Sequence, residues 1–312
     1  MKILAVDDDA FILELLGMFT AKVGFPNVTK AASGPEALAL LNEPANDYDC
    51  MLLDISMPEM DGIELCGRIR AMPAYRKTPI IMLTAMREKS YVDGAFRAGA
   101  TDYLTKPLDV TELGARLRVI DELVAARRSM QALGAEATIL ASNMPAIPLE
   151  REIPIDGVQG LIEYTALGNY ILQLSDSGLG SAQVVAAKIN DIQEIYAKAT
   201  PGEFHQLIAT IAGGLSAVFR EFDASLAYSG NGVFLVLFYK ESMEPSAGIE
   251  RTLQLLIDKK GLTFGDGSPL EALVSIGNPI RPNPGKARRI SKTFDRAVAR
   301  AESRESKRAS TD

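Results

Sequence analysis

The sequence predicts two consecutive α/β domains, because strand-like and helix-like segments alternate in both halves of the 312-residue chain. In the first 125 residues or so, five short apolar runs are separated by segments with helical spacing, an order typical of a parallel sheet. In the second half, a glycine-bearing turn joins two strands within a larger helix–strand pattern. A stretch containing three prolines separates the halves and is typical of an extended linker.

The first domain is predicted to be a five-stranded, doubly wound parallel sheet of the flavodoxin-like kind, with helices on both faces. Its strands are predicted at residues 2–6, 28–32, 50–54, 79–84 and 102–105. Helices are predicted around Ile12–Val23, near 35–42, 62–72 and 88–98, and from 109 onward. The last helix keeps its apolar spacing beyond the domain, and we expect it to end near Gly134.

The second domain is predicted to have a hairpin in the middle of its sheet. Strands are predicted at 183–189, 225–228, 233–239 and 272–277, and helices at about 158–174, 203–222, 247–258 and 288–304. The predicted organisation is therefore a first domain at 1–125, a helix extension and Pro-rich linker at 126–154, a second domain at 155–305 and a tail at 306–312.

Composition excludes several classes of protein. A net charge of −7 argues against nucleic acid as a partner, and no apolar run approaches the roughly 20 residues that span a bilayer. The opening "MKILAV" does not resemble a secretory signal, and Cys50 and Cys66 are predicted to be buried thiols. His205 is the only histidine, which excludes a His-rich zinc site and argues against a self-phosphorylating histidine kinase. We therefore expect a cytoplasmic protein with no membrane partner.

Charged and hydroxyl side chains follow the predicted strands of the first domain. Asp7 and Asp8 follow the first strand, Asp54 ends the third, Thr84 ends the fourth and Lys106 follows the fifth. The carboxyl ends of parallel strands meet in one crevice, where several carboxylates are unfavourable without a cation. Mg²⁺ suits these oxygen ligands, and the same set can hold a phosphoryl group attacked by a carboxylate.

This half of the chain resembles the receiver domain of two-component response regulators. The resemblance is carried by "AVDDDAF", "LLDISMPEMDGIEL", "IIMLTA" and "AGATDYLTKPL", which occur in the family's order and spacing. It implies that Asp54 accepts the phosphoryl group and that Asp7, Asp8, Asp54 and the backbone carbonyl of Ser56 hold Mg²⁺. Asp9 is instead interpreted as a helix cap.

The same resemblance implies the roles of the remaining receiver residues. Thr84 and Lys106 would contact the phosphate, and Tyr103 would be an aromatic switch that moves inward with Thr84. The bond between Lys106 and Pro107 would be cis. The partners implied are a histidine kinase or phosphotransfer protein as donor and a second copy of the receiver in a homodimer.

The second half resembles nucleotide cyclase-like domains, and in particular the diguanylate cyclases named GGDEF after their hairpin. The resemblance is carried by "AYSGNGVFLVLF", "IDGVQGLIE" and "VSIG". The family holds two metal ions with an acid on its first strand and another in the hairpin. Here the hairpin is one residue longer and has no acid, and no acid lies between Asp176 and Asp191. The prediction is a degenerate domain without cyclase activity, acting by protein interaction.

Two alternatives remain open for the second half. Arg220 and Asp223 fit the R-x-x-D pattern with which active relatives bind cyclic di-GMP, so the chain could be a receptor for that nucleotide; the simpler interpretation is an exposed charged pair at a helix end. A residually active cyclase would need other acids, such as Asp191, Glu194 or Glu203.

Overall fold

A computed structural model shows that the chain divides into two compact units, residues 1–140 and 141–312. The residues that the structure describes are 1–85, 89–140, 148–153, 155, 157–174, 176–239, 246–285 and 288–309. Asp156 and the prolines of the predicted linker at 145 and 154 lie outside the described residues. The two units are taken in turn.

The first unit contains the predicted parallel sheet, with its strands in the order β2-β1-β3-β4-β5. This is the doubly wound, flavodoxin-like arrangement, so the predicted fold class of this unit is confirmed. The strands are β1 (Ile3–Val6), β2 (Val28–Ala31), β3 (Cys50–Asp54), β4 (Ile80–Thr84) and β5 (Asp102–Thr105). The helices are α1 (Ala10–Lys22), α2 (Gly34–Leu41), α3 (Gly62–Ala71), α4 (Lys89–Arg97) and α5 (Val110–Leu140).

The sheet is buried on both faces, which is why its strands are almost continuously apolar. Ile3, Leu52 and Leu83 point to one face and pack against α1 and α5. Alternate residues such as Leu4 and Leu53 point to the opposite face and are fully buried under α2, α3 and α4. Helices on both sides therefore leave the carboxyl ends of the strands as the accessible edge.

Helix α5 is longer than predicted. It runs through Gly134 to Leu140, so the expected end near Gly134 was wrong. A single glycine inside a helix costs only about 1 kcal/mol relative to alanine. The residues that follow it, "AEATIL", include the strong helix formers Ala, Glu and Leu, and they continue the helix.

The second unit is built on a four-stranded antiparallel sheet with the order β7-β8-β6-β9. Its strands are β6 (Ala182–Ile189), β7 (Ser225–Tyr228), β8 (Val233–Tyr239) and β9 (Val274–Ile276). Its helices are α6 (Tyr164–Gln173), α7 (Asp176–Ser181), α8 (Ile192–Lys198), α9 (Pro201–Val218), α10 (Ser246–Asp258) and α11 (Arg289–Ala309). Helices α9 and α10 cover one face, and α6 and α11 cover the other.

The hairpin of β7 and β8 is at the edge of this sheet, so the prediction that it lies in the middle was wrong. Strand β6 enters beside β8 rather than beside β7, and a pairing across so many residues leaves no local signal in the sequence. The outer edge of β7 is partly covered, since Leu226 exchanges backbone hydrogen bonds with Gly160 (2.7 Å) and Ile162 (2.8 Å).

Several helices of the second unit also differ from the prediction. The helix expected from about 158 begins only at Tyr164, because residues 160–162 pair with β7 instead. Helices α7 and α8 were not predicted, and α9 ends at Val218, followed by a 3-10 turn at Arg220–Phe222. Helix α11 runs to Ala309, so it includes part of the predicted tail, whose residues 310–312 lie outside the described residues.

Candidate functional site

The predicted acidic cluster of the first unit assembles where β1 and β3 end. These strands are parallel neighbours, with Val6 opposite Leu53, so the residues that follow them are adjacent. Asp7 is 1% exposed and Asp54 3% exposed, whereas Asp8 is exposed. One carboxylate oxygen from each of the three lies within 4.8 Å of the others.

Lys106 joins the two buried carboxylates. Its Nζ lies 2.6 Å from Asp54 Oδ1 and 2.8 Å from Asp7 Oδ2. The backbone N–H of Lys106 donates to the carbonyl of Thr84 (2.7 Å), which anchors the residue beside the end of β4. The strand order of β1, β3, β4 and β5 therefore brings residues separated by about a hundred positions into one ionic group.

Burial and charge act in opposite directions on these groups. Burial raises the pKa of Asp7 above its usual range, although hydrogen bonds from Lys106 and from the backbone N–H of Asp9 partly counteract it. For Lys106, burial opposes the charged form, but hydrogen bonds to Asp54 and Asp7 and their charges together raise its pKa. The amine is therefore held protonated, as a counter-ion and a phosphate contact require.

The donor set fits Mg²⁺. Three carboxylates, of which one is open to solvent, match an ion that prefers oxygen ligands and retains several waters. Ser56 is at the same place, since its backbone N–H donates to Asp54 Oδ2 (2.8 Å). Among the described residues, no second group of acidic, His or Cys side chains close enough to hold a metal ion occurs.

The two predicted switch residues are also near this edge of the sheet. Thr84 is fully buried as the last residue of β4, next to Thr105 of β5. Tyr103 is 9% exposed, with its ring packed edge-on against Phe96 at a centroid distance of 6.1 Å. The bond between Lys106 and Pro107 is cis.

Local structure explains why Asp54 is held firmly. A loop of residues 55–61 joins its strand to α3, whose first residue, Gly62, donates its N–H to the carbonyl of Ile55 (3.0 Å). A Cβ at Gly62 would overlap the backbone carbonyl of Asp54. Asp61 caps the helix by accepting from Glu64 N (2.7 Å). The sequence analysis did not identify the roles of Asp61 and Gly62, although an aspartate followed by glycine before an apolar run indicates a helix start.

Two other expectations about the first unit are confirmed. Asp9 is the N-cap of α1 and accepts from Phe11 N (2.8 Å). Cys50 and Cys66 are free and buried, and burial raises the pKa of their thiols to about 12 and about 11. They are therefore inert thiols.

The predicted nucleotide contacts of the second unit are at the end of α9. Arg220 begins the 3-10 turn and Asp223 follows it with a positive φ of 52°, and both are exposed. The acids of the alternative cyclase site lie elsewhere in this unit, at the starts of two helices. Glu203 forms the capping box of α9 with Thr200, and Asp191 and Glu194 are at the start of α8.

In the sheet of the second unit, an amine and an alkyl side chain lie side by side where β6 ends and β8 begins. Lys188 near the end of β6 pairs across the ladder with Val233 at the start of β8. The Nζ of Lys188 lies 3.0 Å from Glu305 and 3.4 Å from Glu302, both on α11. The sequence analysis noted only that an acid is absent here, because the pairing with α11 joins residues more than a hundred positions apart.

Comparison with known families agrees with the geometry of the first unit. A family model described as the response regulator receiver domain matches residues 3–118. The amino-terminal unit is a response regulator receiver domain. Such receivers belong to two-component signalling, where they interact with histidine kinases or phosphotransfer proteins.

Individual relatives are similar over the same length. The transcriptional regulatory protein SrrA of Staphylococcus aureus (strain NCTC 8325 / PS 47) is 40% identical over 119 residues, 38% of this chain and 47% of that protein. The chain thus spans about half the length of the curated relatives it matches.

Solved structures similar to this chain include the chemotaxis protein CheY4 of Vibrio cholerae, which is 33% identical in sequence, and a putative response regulator of Chloroflexus aurantiacus J-10-fl, which is 39% identical. The matches cover 38% of this chain and 97% and 95% of those chains, with TM-scores of 0.36. The receiver assignment rests on the family match and the sequence identity. Among the described helices, none is long and apolar enough to cross a membrane.

Proposed function

We propose that the chain is a response regulator that is phosphorylated on Asp54 and signals through a second unit without cyclase activity. The observation that carries the first part is the contact of Lys106 with both Asp54 and Asp7 beside a third carboxylate. A buried carboxylate with a fixed amine beside it is suited to accept a phosphoryl group and to neutralise the charge that arrives with it.

In the proposed reaction, a carboxylate oxygen of Asp54 forms a bond to phosphorus while the bond from phosphorus to the donor's imidazole nitrogen breaks. Lys106 stays protonated and neutralises one of the transferred oxygens, since its pKa is raised. The hydroxyl of Thr84, the last residue of β4, and the backbone N–H of Ser56, which donates to Asp54, are proposed to contact the others. A magnesium ion held by Asp7, Asp8, Asp54 and the Ser56 carbonyl would neutralise further charge.

Tyr103 is proposed to move when Asp54 is phosphorylated. As Thr84 moves toward the phosphate, it vacates space beside β4, and the ring of Tyr103, which packs against Phe96, moves inward. Tyr103 lies on β5, and the next helix in the chain is α5, which has 31 residues. We propose that this helix transmits the structural change away from the site. We propose that the phosphorylated receiver associates with a second copy, and that the donor is a histidine kinase or phosphotransfer protein.

The second unit is proposed to be a degenerate GGDEF-like domain. Its helix–strand order, its hairpin and its covered sheet are compatible with that family, but its strand ends carry Lys188 and Val233. An ammonium group repels Mg²⁺ and an isopropyl group has no lone pair to offer it. Lys188 forms ion pairs with Glu302 and Glu305, so this end of the sheet makes packing contacts and offers no metal ligand. We therefore propose that the second unit signals by interacting with another protein.

The test of the phosphoacceptor compares labelling of the wild type, Asp54→Asn and Asp9→Asn by a radiolabelled phosphodonor with Mg²⁺. We expect Asp54→Asn to lose the label and Asp9→Asn to retain it, because asparagine caps a helix as well as aspartate does. Equal labelling of Asp54→Asn and wild type would show that the acceptor is another residue. Oligomeric state measured on the same samples tests the proposed homodimer.

A receptor for cyclic di-GMP is the second candidate, favoured by the exposure of Arg220 and Asp223 within one turn. Arginine can donate two hydrogen bonds to a guanine O6 and N7, and aspartate can accept from guanine N–H groups. Isothermal titration of the full chain separates the candidates. Binding that disappears in Arg220→Ala supports the receptor, and no heat at high micromolar ligand removes it.

A further inference from the structure

Helix α5 carries a second apolar stripe, separate from the one that packs on the receiver core. Positions 119, 123, 126, 130, 133, 137 and 140 follow one another in steps of four and three residues and hold only Val, Leu, Ala and Met. We call these positions the seam. Steps of four and three residues are the heptad pattern of coiled coils. The seam continues for about three heptads, to the last residue of the helix.

The opposite side of α5 attaches the helix to its own receiver. Ile120 is buried in the receiver core, and Val124 packs against that core. One turn farther along the same side, the guanidinium of Arg128 forms an ion pair with Asp49, the residue before β3. Because successive residues are turned by about 100° around a helix, these contacts place the seam on the side of α5 that faces away from the domain.

The first three positions of the seam agree with this orientation. Val119 is 61% exposed, Ala126 is exposed and Leu123 is half-buried. Apolar side chains that recur at regular spacing on an open helix face are typical of a surface that another protein covers. The spacing alone does not identify that protein, so the charges beside the seam are the next evidence.

These charges favour a second copy of the same helix, running in parallel. In a parallel coiled coil, the residue that flanks the seam on one side lies beside the residue five positions farther on in the other helix. Glu122 and the arginine at position 127 are related in this way, so a parallel pair brings opposite charges together twice, once on each side of its two-fold axis. An antiparallel pair would instead place Glu122 near the glutamate at position 136, which is a repulsive contact.

We propose that the seam is a parallel coiled-coil interface between two copies of this chain. The inference rests on the homodimer of the proposed function and names the surface that forms it. In a parallel pair, each helix covers the apolar side chains that Val119 and Ala126 leave exposed in a single copy. The two receivers then lie at the same end of the pair, related by a two-fold axis.

Two adjacent alanines give a matched test by analytical ultracentrifugation of the full chain, with and without acetyl phosphate. Ala126 belongs to the seam and Ala125 does not, and both are exposed, so lysine at either position leaves the fold of a single copy intact. We expect Ala126→Lys to raise the dissociation constant of the dimer at least tenfold, because the pair would bury a charge, and Ala125→Lys to change it less than twofold. Equally strong dimers in the two variants overturn the seam.

Cross-linking tests the direction of the pair. Cys50 and Cys66 are buried, so a cysteine introduced on α5 can be oxidised without competition from them. We expect Ala126→Cys to form a disulfide between copies, since equivalent seam positions come within the roughly 7 Å that a disulfide requires only in a parallel pair. Ala125→Cys should stay unlinked. A dimeric Ala126→Cys that does not cross-link overturns the parallel seam.

The same measurements separate the seam from the proposal on which it rests. A wild type that stays monomeric with and without acetyl phosphate removes the homodimer and the seam together. A dimer that is as strong in Ala126→Lys as in the wild type removes the seam alone. Radiolabel on Asp54 is expected to be equal in all these variants, so the phosphoacceptor is tested separately.

Discussion

The buried carboxyl group of Asp7 destabilises the receiver at neutral pH. It is 1% exposed, and burial is the largest cause of its raised pKa. A raised carboxyl pKa means that the folded receiver binds this proton more tightly than the unfolded chain does. The unfavourable contribution is therefore fully present above the folded pKa, and it disappears as the pH falls through that pKa to below the ordinary value of 3.8.

We predict that Asp7→Asn makes the receiver more stable at pH 7 in the absence of Mg²⁺. The expected gain is about 1 kcal/mol, a usual size for a stabilising substitution, and it should shrink as the pH falls toward 3.8. Urea unfolding of the full chain, followed through the hydrogen exchange of β3, measures it. Asp9→Asn, at the exposed helix cap, serves as the control and should change little. A destabilised Asp7→Asn at pH 7 would contradict the argument.

The same residue shows why stability and function oppose each other here. Asp7, Asp54 and Lys106 form a compact ionic group in which the amine partly neutralises two buried carboxylates. An arrangement chosen for stability would replace one carboxylate by a neutral group. Retaining both agrees with the proposal that a magnesium ion and a phosphoryl group bind there.

At the scale of the element, α3 supports Asp54, the proposed phosphoacceptor. Its first residue, Gly62, contacts the backbone of Asp54 so closely that no side chain fits between them. Gly67, on the same helix, is exposed and has open space around its Cα. Packing therefore requires glycine at position 62, whereas no packing contact requires it at position 67.

We predict that Gly62→Ala destabilises the receiver by about 1–3 kcal/mol, the usual range for overpacking, and lowers phosphoryl labelling several-fold because Asp54 must shift. Gly67→Ala should instead stabilise it by about 0.5–1 kcal/mol, the propensity difference within a helix. Urea unfolding and radiolabel transfer on both variants provide the comparison. Normal labelling in Gly62→Ala would mean that the end of β3 tolerates the shift.

At the scale of the whole molecule, the two units carry different chemistry. The receiver gathers carboxylates around an amine, whereas in the second unit Lys188 pairs with Val233 and the carbonyl of Leu149 accepts from the hairpin turn. Of the acids of the alternative cyclase site, Glu203 is engaged in the capping box of α9, whereas Asp191 and Glu194 lie at the start of α8. The second unit is therefore proposed to act as a binding module.

We predict that the full chain releases no pyrophosphate from GTP and Mg²⁺, with or without acetyl phosphate. The reason is that Lys188 and Val233 pair where β6 ends and β8 begins, and neither side chain can hold a magnesium ion. Asp54→Asn is the control, because a contaminating enzyme would give the same signal in both proteins. Turnover that appears only in the phosphorylated wild type would establish a regulated cyclase and remove the binding-module proposal.

The sequence by itself determined the receiver and the residues of its site. Apolar strand runs and helical spacing are local properties, and a parallel sheet always brings the carboxyl ends of its strands together. Asp7, Asp54, Thr84 and Lys106 could therefore be grouped before any coordinates. The helix predicted at 203–222, which is α9 in the structure, was recognised for the same reason.

Only the tertiary structure decided how distant segments meet in the second unit. The edge position of the hairpin, the pairing of Lys188 with Glu302 and Glu305, and the contact of Leu149 with Asn231 join residues separated by tens of positions or more. Such contacts depend on strand order and on which surfaces pack together, and neither leaves a periodic signal in the chain. The prolines at 145, 148 and 154 indicated a linker, but Ile153 is buried and belongs to the core of the second unit.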